Sequence, residues 1–148
     1  MSMSNKYTII YWSRYGNGKK CVEYVTKKLK SSGGAVQLLT TKEANPNVIP
    51  PADIYIFSAP TEAFQLQVEM KAFMKKLSGM EGKKYGIINT HGMKKRNKLK
   101  SMTKLLTKKN MEKVAEVDIH VMDGYQQGNG LPPGWEAKLD GFVAMLQV

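Results

Sequence analysis

The sequence predicts an α/β fold in which five parallel strands form one sheet and helices cover both of its faces. Short apolar runs alternate along the chain with longer segments whose apolar residues recur every three or four positions. This alternation of strands and amphipathic helices is typical of parallel sheets. The first run is almost continuously apolar, as in a central strand buried on both faces, whereas the last alternates between apolar and polar residues, as in a strand at the sheet edge.

In chain order, the five strands are predicted over residues 6–12, 35–39, 53–58, 85–90 and 116–121. Four helices are predicted from apolar stripes at helical spacing. The stripes are Cys21, Val22, Val25 and Leu29; Leu66, Met70, Phe73, Met74 and Leu77; Leu99, Met102, Leu105 and Leu106; and Trp135, Leu139, Phe142, Val143 and Leu146. We expect Trp12 and Cys21 in the core, and His120 on the solvent side of the edge strand.

The composition is that of one globular domain, predicted to span residues 1–148. Hydrophobic residues make up 42% of the chain, and no apolar run is long enough to cross a bilayer. The single cysteine excludes an internal disulfide. The N-terminus lacks a basic lead followed by a signal-type apolar segment, so we expect a cytoplasmic protein without a membrane partner.

The formal net charge of +11 is concentrated in residues 91–113, where nine bases face a single acid, Glu112. These bases are Lys94, Lys95, Arg96, Lys98, Lys100, Lys104, Lys108, Lys109 and Lys113. A basic third helix in this segment could dock an acidic protein, or it could be a solvated helix face. Residues 93–113 contain no aromatic side chain on which a base could stack, which argues against a nucleic acid partner.

Between the first strand and the first helix lies a loop rich in small, polar and basic residues. The first amides of a helix lack partners, so a strand–loop–helix of this kind forms an anion site. Ser13 and Asn17 can donate hydrogen bonds, Gly16 and Gly18 let the backbone approach a ligand, and Lys19 adds charge. The loop lacks the glycine pattern of nucleotide-triphosphate and dinucleotide loops. We interpret it as a phosphate cradle; the alternative is a turn without a ligand.

The same loop resembles the flavin mononucleotide (FMN) phosphate loop of flavodoxin-like proteins, which the residues Ile9, Ile10, Tyr11, Ser13 and Gly16 match. Gly18 stands where that family usually has Thr. The run Ser13, Arg14, Tyr15 and Gly16 also resembles the Ser-x-Tyr-Gly of quinone reductases of the tryptophan-repressor-binding-protein type. The resemblance implies a three-layer sandwich with strand order 2-1-3-4-5 and FMN at the carboxyl ends of the strands. Flavodoxins proper are typically acidic, so the basic charge departs from the family pattern.

Three later loops are expected at the same sheet edge as the phosphate loop. The predicted cofactor-binding residues in them are Pro60, Thr61, Glu62, Ala63 and Phe64, then Thr90, His91 and Gly92, and finally Tyr125. The Pro-Thr pair at 60–61 resembles the same quinone reductases, and the loop at 90–92 resembles the flavin-lining loop of many flavodoxin-like proteins. Phe64 is the best single candidate to stack on the flavin ring.

His91 has two readings. Near a flavin it would donate a hydrogen bond to the flavin ring or transfer a proton; otherwise it is a loop histidine that caps the backbone or faces water. If the bases at 94–96 approach the pyrimidine side of the ring, they would raise its reduction potential.

The leading functional hypothesis is an FMN-binding redox protein that carries electrons, or reduces a small acceptor such as a quinone with electrons from a reduced nicotinamide. Its partners would be a redox protein or a small-molecule acceptor. The alternative is a flavin-free binding module that docks an acidic protein or nucleic acid through the basic helix. The sequence contains no metal-ligand spacing, and no catalytic residue is assigned.

Overall fold

A computed structural model describes residues 5–93 and 97–147. In chain order its elements are β1 (Lys6–Tyr11), α1 (Asn17–Ser31), β2 (Ala35–Thr40), β3 (Ile54–Glu62), β4 (Gln65–Leu66), α2 (Val68–Lys76), β5 (Lys84–His91), α3 (Leu99–Thr107), β6 (Glu112–His120), a 3-10 turn (Tyr125–Gln127) and α4 (Trp135–Leu146). The parallel strands lie in the order β2-β1-β3-β5-β6, and the two-residue β4 pairs antiparallel with the end of β3. Without β4 this is the predicted order 2-1-3-4-5, so the predicted fold class is confirmed.

The sheet has a hydrophobic cluster on each face. Because side chains alternate along a strand, Ile9 and Ile10 of β1 point to opposite faces. Ile9 packs in the cluster that α1 and α4 cover, and Ile10 packs in the cluster that α2 and α3 cover. Cys21 lies on α1 and is fully buried, as predicted. The edge position of the last strand, β6, is also confirmed.

The third strand is longer than predicted and ends in a hairpin. Instead of stopping at residue 58, β3 pairs with β5 as far as Pro60 opposite Thr90, and its last two residues pair with β4. Leu66 was predicted in the second helix, but it is a buried residue of β4. The helix begins after Gln67, whose side chain accepts a hydrogen bond from the Met70 amide at 2.8 Å and caps the helix.

The basic segment 94–113 is not one helix. Within the described residues α3 covers only Leu99–Thr107, and Lys113 lies on β6 beside Glu116. The chain turns back after α3 through Asn110, whose φ is 58°. The bases at 94–96 lie outside the described residues, so their predicted position near a flavin stays a prediction. Among the described residues, no helix has the length and apolar character needed to cross a membrane.

Candidate functional site

One cleft at the carboxyl edge of the sheet brings together the loops that follow β1, β3, β5 and β6. Its lining residues are Trp12, Ser13, Arg14, Tyr15, Asn17, Gly18, Pro60, Thr61, Glu62, Thr90, His91, Gly92, Val121 and Tyr125. An open cavity beside it shares several of these residues and adds Ala63, Phe64 and Met93. Four segments that are far apart in the sequence therefore surround one space.

The loop after β1 is held in shape by a single hydroxyl. Ser13 Oγ accepts hydrogen bonds from the amides of Gly16 and Lys19, each at 3.2 Å. Gly16 precedes the helix with a φ of 100°, a conformation that favours glycine. Within the described residues the amides of Asn17 and Gly18 have no recorded acceptor, which is the usual state of amides in the first turn of a helix. These two amides can therefore bind an anion.

Gly18 leaves space for a side chain at this loop. A Cβ atom added to Gly18 would lie 3.6 Å from Ser13 Oγ, which is an ordinary van der Waals distance. The φ of Gly18 lies outside the left-handed region, so the backbone does not require glycine. Neither the backbone conformation nor the space for a Cβ atom therefore requires glycine at this position.

Asn17 ties this loop to the loop after β6. Its amide nitrogen donates to the Tyr125 carbonyl at 2.7 Å, and its amide oxygen accepts from the Gly130 amide at 3.0 Å. Lys20, which sequence analysis did not select, donates to the Gly128 carbonyl at 2.5 Å. A Cβ added to Gly128 would lie 2.6 Å from the Tyr15 carbonyl oxygen, so the two loops are in close contact. The side chain of Asn17, predicted as a phosphate donor, is thus used mainly to hold two loops together.

The loop after β3 is a tight hairpin with an unusual backbone. Glu62 pairs with Gln65, and the two residues between them have positive φ, 49° at Ala63 and 65° at Phe64. Two-residue hairpin loops with both φ positive are normally built from Asn and Gly, because a Cβ disfavours this conformation. The side chain of Phe64 is 58% exposed at the tip of the hairpin. The strained backbone conformation therefore coincides with an exposed aromatic side chain.

The hairpin and the first loop are joined by an ion pair. The Arg14 guanidinium donates two hydrogen bonds to the Glu62 carboxylate, at 2.8 and 2.9 Å. Hydrogen bonding and then charge from Glu62 raise the pKa of Arg14 above its ordinary value. The guanidinium also lies 4.9 Å from the ring centroid of Trp12. Trp12 was predicted in the core, but it is only half-buried because it follows the end of β1 and lines the cleft.

The family profile for the flavodoxin domain matches residues 8–126. The chain belongs to the flavodoxin family. No curated protein sequence matches it. Similar solved structures include the Streptococcus pneumoniae TIGR4 flavodoxin, with 20% identity, a TM-score of 0.78 and coverage of 95% of this chain and 97% of that chain. The two-electron reduced flavodoxin of Megasphaera elsdenii is 17% identical, with a TM-score of 0.73 and coverage of 95% and 98%.

A larger protein also contains this fold. The rubredoxin oxygen:oxidoreductase of Desulfovibrio gigas is 17% identical, with a TM-score of 0.79. The match covers 96% of this chain and 35% of that protein, so the flavodoxin described here spans about a third of its length. At these identities the solved structures establish the shared fold.

Both ring nitrogens of His91 are engaged with protein atoms in this flavodoxin. Nδ1 lies 2.8 Å from the Met93 carbonyl oxygen, and because a carbonyl oxygen can only accept, Nδ1 donates this hydrogen bond. Nε2 lies 2.6 Å from a carboxylate oxygen of Asp118, and the ring is buried. The contact with Met93 is the backbone cap of the second reading, and the contact with Asp118 was not expected from the sequence. His120 was expected on the solvent side, but it is half-buried and its ring stacks on that of His91 at 5.4 Å.

Asn89 connects the cleft to the third helix, and sequence analysis did not select it as a site residue. It is fully buried near the end of β5. Its amide donates to the Ala59 carbonyl at 2.9 Å, and its oxygen accepts from the Thr61 hydroxyl at 3.2 Å and the Lys98 amide at 2.8 Å. The available signal was a polar residue directly after the apolar pair Ile87 and Ile88.

Fourteen of the sixteen predicted site residues line the cleft or the adjoining cavity. The remaining two, Gly16 and Lys19, donate their amides to Ser13 and shape the loop from outside these cavities. Residues that sequence analysis missed are Trp12, Lys20, Asn89, Met93 and Val121. No group of three or more metal-ligating side chains occurs in residues 5–93 and 97–147.

Proposed function

We propose that this flavodoxin binds FMN in the cleft and carries electrons for a redox partner protein or a small-molecule acceptor. The observation that carries the proposal is the convergence of an amide-rich helix N-terminus and exposed aromatic side chains at one edge of the sheet. Flavodoxins bind flavin, typically FMN. When bound, the flavin supplies the redox chemistry, and the protein's role is to hold and orient it.

The phosphate end of the ligand fits the loop after β1. The amides of Asn17 and Gly18 point away from the helix they begin, and the helix dipole adds positive potential there. Lys19 is exposed in the same turn and adds a full positive charge. Arg14 lines the cleft but is already paired with Glu62, so we assign it to joining the loop and the hairpin rather than to the phosphate.

The ring end of the ligand fits the adjoining cavity. Phe64 and Tyr125 both line it, and their side chains are 58% and 38% exposed. Tyr15 packs edge-on against Tyr125, with ring centroids 5.7 Å apart, and supports it. The loop at 90–92 and the residues Pro60 and Thr61 line the cleft beside this cavity, and their backbone groups can meet the polar edge of a flavin.

Electron carriage is favoured over acid–base-assisted reduction of a quinone. His91 is the titratable side chain that lies deepest in the cleft wall, and both of its nitrogens are engaged with Met93 and Asp118. An electron carrier needs no proton donor from the protein, so this arrangement is compatible with electron carriage.

Absorption spectra of the protein, recorded after adding FMN and removing the excess by desalting, test the proposal. We expect flavin bands to stay with the protein. We expect Ser13→Ala to lower the affinity for FMN by about tenfold, because the amides of Gly16 and Lys19 lose their acceptor and the loop loses its shape. Thr26→Ala, which removes a hydroxyl from the middle of α1, is a matched control and should leave affinity unchanged.

Absence of retained flavin at high added FMN would overturn the proposal and favour the flavin-free binding module. If flavin is retained, turnover with reduced nicotinamides and quinones distinguishes the carrier from a quinone reductase. Steady-state oxidation of a reduced nicotinamide by a quinone that is faster with this protein than with free FMN would contradict the carrier assignment, because a carrier does not itself take electrons from the nicotinamide.

A further inference from the structure

We propose that a lysine-lined groove between α2 and α3 is a docking site for an acidic segment of a protein partner that also carries leucine-type side chains. We call it the lysine groove. Its basic residues are Lys71, Lys75, Lys98, Lys104 and Lys108. The groove lies on the helical face of the sheet, outside the cleft, and its binding of a partner does not depend on flavin.

Among the described residues, no acid neutralises the charge of the lysine groove. None of the described residues that line the groove is Asp or Glu. Over residues 5–93 and 97–147, the ion pairs involve Arg14, Lys28, His91 and Lys113, and none of the groove lysines. Glu69, the one acid in α2, is not among the residues that line the groove. Ammonium groups on two facing walls repel one another, and an anionic ligand between them relieves that repulsion.

The groove also has an apolar floor. Leu66 of β4 is buried there, and Leu105 of α3 is half-buried. A floor of leucines between walls of lysines is complementary to an amphipathic acidic segment, whose apolar side chains enter the groove while its carboxylates meet the ammonium groups. No aromatic side chain lines the groove, so a nucleic acid strand would find no surface for base stacking. The lining therefore favours a polypeptide.

The size and position of the lysine groove also suit such a segment. Both α2 and α3 have nine residues, so each helix is ~13.5 Å long, which matches about nine residues of a helical ligand. One end of the groove is formed by Gln65 and Leu66, which follow the hairpin tip at Phe64 in the chain. A partner seated in the groove would therefore reach the hairpin that borders the cleft.

Fluorescence anisotropy with a labelled synthetic peptide tests the proposal. The probe is a peptide of about three helical turns with leucines on one face and glutamates elsewhere. It is titrated with the full chain, with and without FMN. We expect binding that weakens with salt and is the same in both forms, so that a failure of FMN binding would leave this result intact.

Two charge-matched double variants locate the site. Lys71→Gln/Lys104→Gln removes one ammonium from each wall, and we expect the Kd to rise about tenfold or more. Lys27→Gln/Lys30→Gln removes the same charge from exposed positions on α1, at the other face of the sheet, and should change the Kd less than about twofold. Circular dichroism confirms that each variant is folded. Leu105→Gln should weaken the leucine-bearing peptide and leave an all-glutamate peptide unaffected.

Three results would overturn the proposal. The first is no binding of the peptide by the unmodified chain. The second is an equal rise of the Kd in both double variants, which would show that only the net charge of the protein matters. The third is tighter binding of a single-stranded oligonucleotide that depends on the same lysines, which would assign the groove to nucleic acid.

Discussion

At the scale of single residues, the phosphate loop depends on one hydroxyl and lacks another. Ser13 accepts from two amides and fixes the turn. Gly18 stands where the family pattern has Thr, and the structure provides space for a Cβ at that position. The missing side chain is therefore a property of this sequence that packing does not impose, and it can be restored.

We predict that Gly18→Thr binds FMN more tightly, by about tenfold, because its hydroxyl adds a hydrogen bond to a charged phosphate. Isothermal titration of the apoprotein with FMN measures the change. Gly18→Val has the same shape without the hydroxyl and is the control. An equal gain in both variants would attribute the effect to replacing a helical glycine, and a loss of affinity in Gly18→Thr alone would contradict the role of this loop as a phosphate site.

At the scale of elements, the β3–β4 hairpin has a backbone conformation that its own residues disfavour. Ala63 and Phe64 both have positive φ, although neither residue favours it. The hairpin is held in place by the pairing of β3 with β5, by the Arg14–Glu62 ion pair and by the Asn89 side chain, which accepts from Thr61. Tertiary contacts therefore maintain a conformation that the local sequence disfavours.

We predict that Phe64→Gly stabilises the protein by about 1 kcal/mol, because glycine adopts positive φ without a Cβ penalty, while it weakens FMN binding through loss of the ring. Urea denaturation and FMN titration measure the two effects. Phe64→Leu keeps the strain and removes the ring, so it should weaken FMN binding without the gain in stability. Unchanged FMN affinity in both variants would show that Phe64 has no part in the site.

At the scale of the whole molecule, folding buries the only thiol of the chain in a core shared by α1, α4 and the sheet. Cys21 is fully buried, and desolvation raises the pKa of its thiol to about 12. In the unfolded chain the pKa is about 8.5. Between these values the folded state keeps a proton that the unfolded state releases, so the free energy of unfolding must fall as the pH rises.

We predict that between about pH 9 and 11 the unfolding free energy falls more steeply in the wild-type chain than in Cys21→Ala, by about 1.4 kcal/mol per pH unit. Urea denaturation at several pH values gives the two slopes. Cys21→Ala is less stable overall because it leaves a cavity, but only the slope reports the thiol. Parallel slopes in the two proteins would contradict the burial of this group as a neutral thiol.

Periodicity and composition determined the parts of this flavodoxin that depend on neighbouring residues. The strand–helix alternation, the burial of the stripe at Cys21, Val22, Val25 and Leu29, and the edge position of the last strand all follow from which residues avoid water along a helix or strand. The loops of the cleft could be predicted as a group, because the carboxyl ends of parallel strands share one sheet edge.

Only the tertiary structure decided what individual side chains do at that edge. The use of Asn17 to join two loops, the pairing of His91 with Asp118 and the lysine groove all depend on partners that are distant in the sequence. Asn17 contacts Tyr125 and Gly130, more than a hundred residues away. A hydrogen bond of this kind has no local signature, because it forms only after the sheet has brought the two loops together.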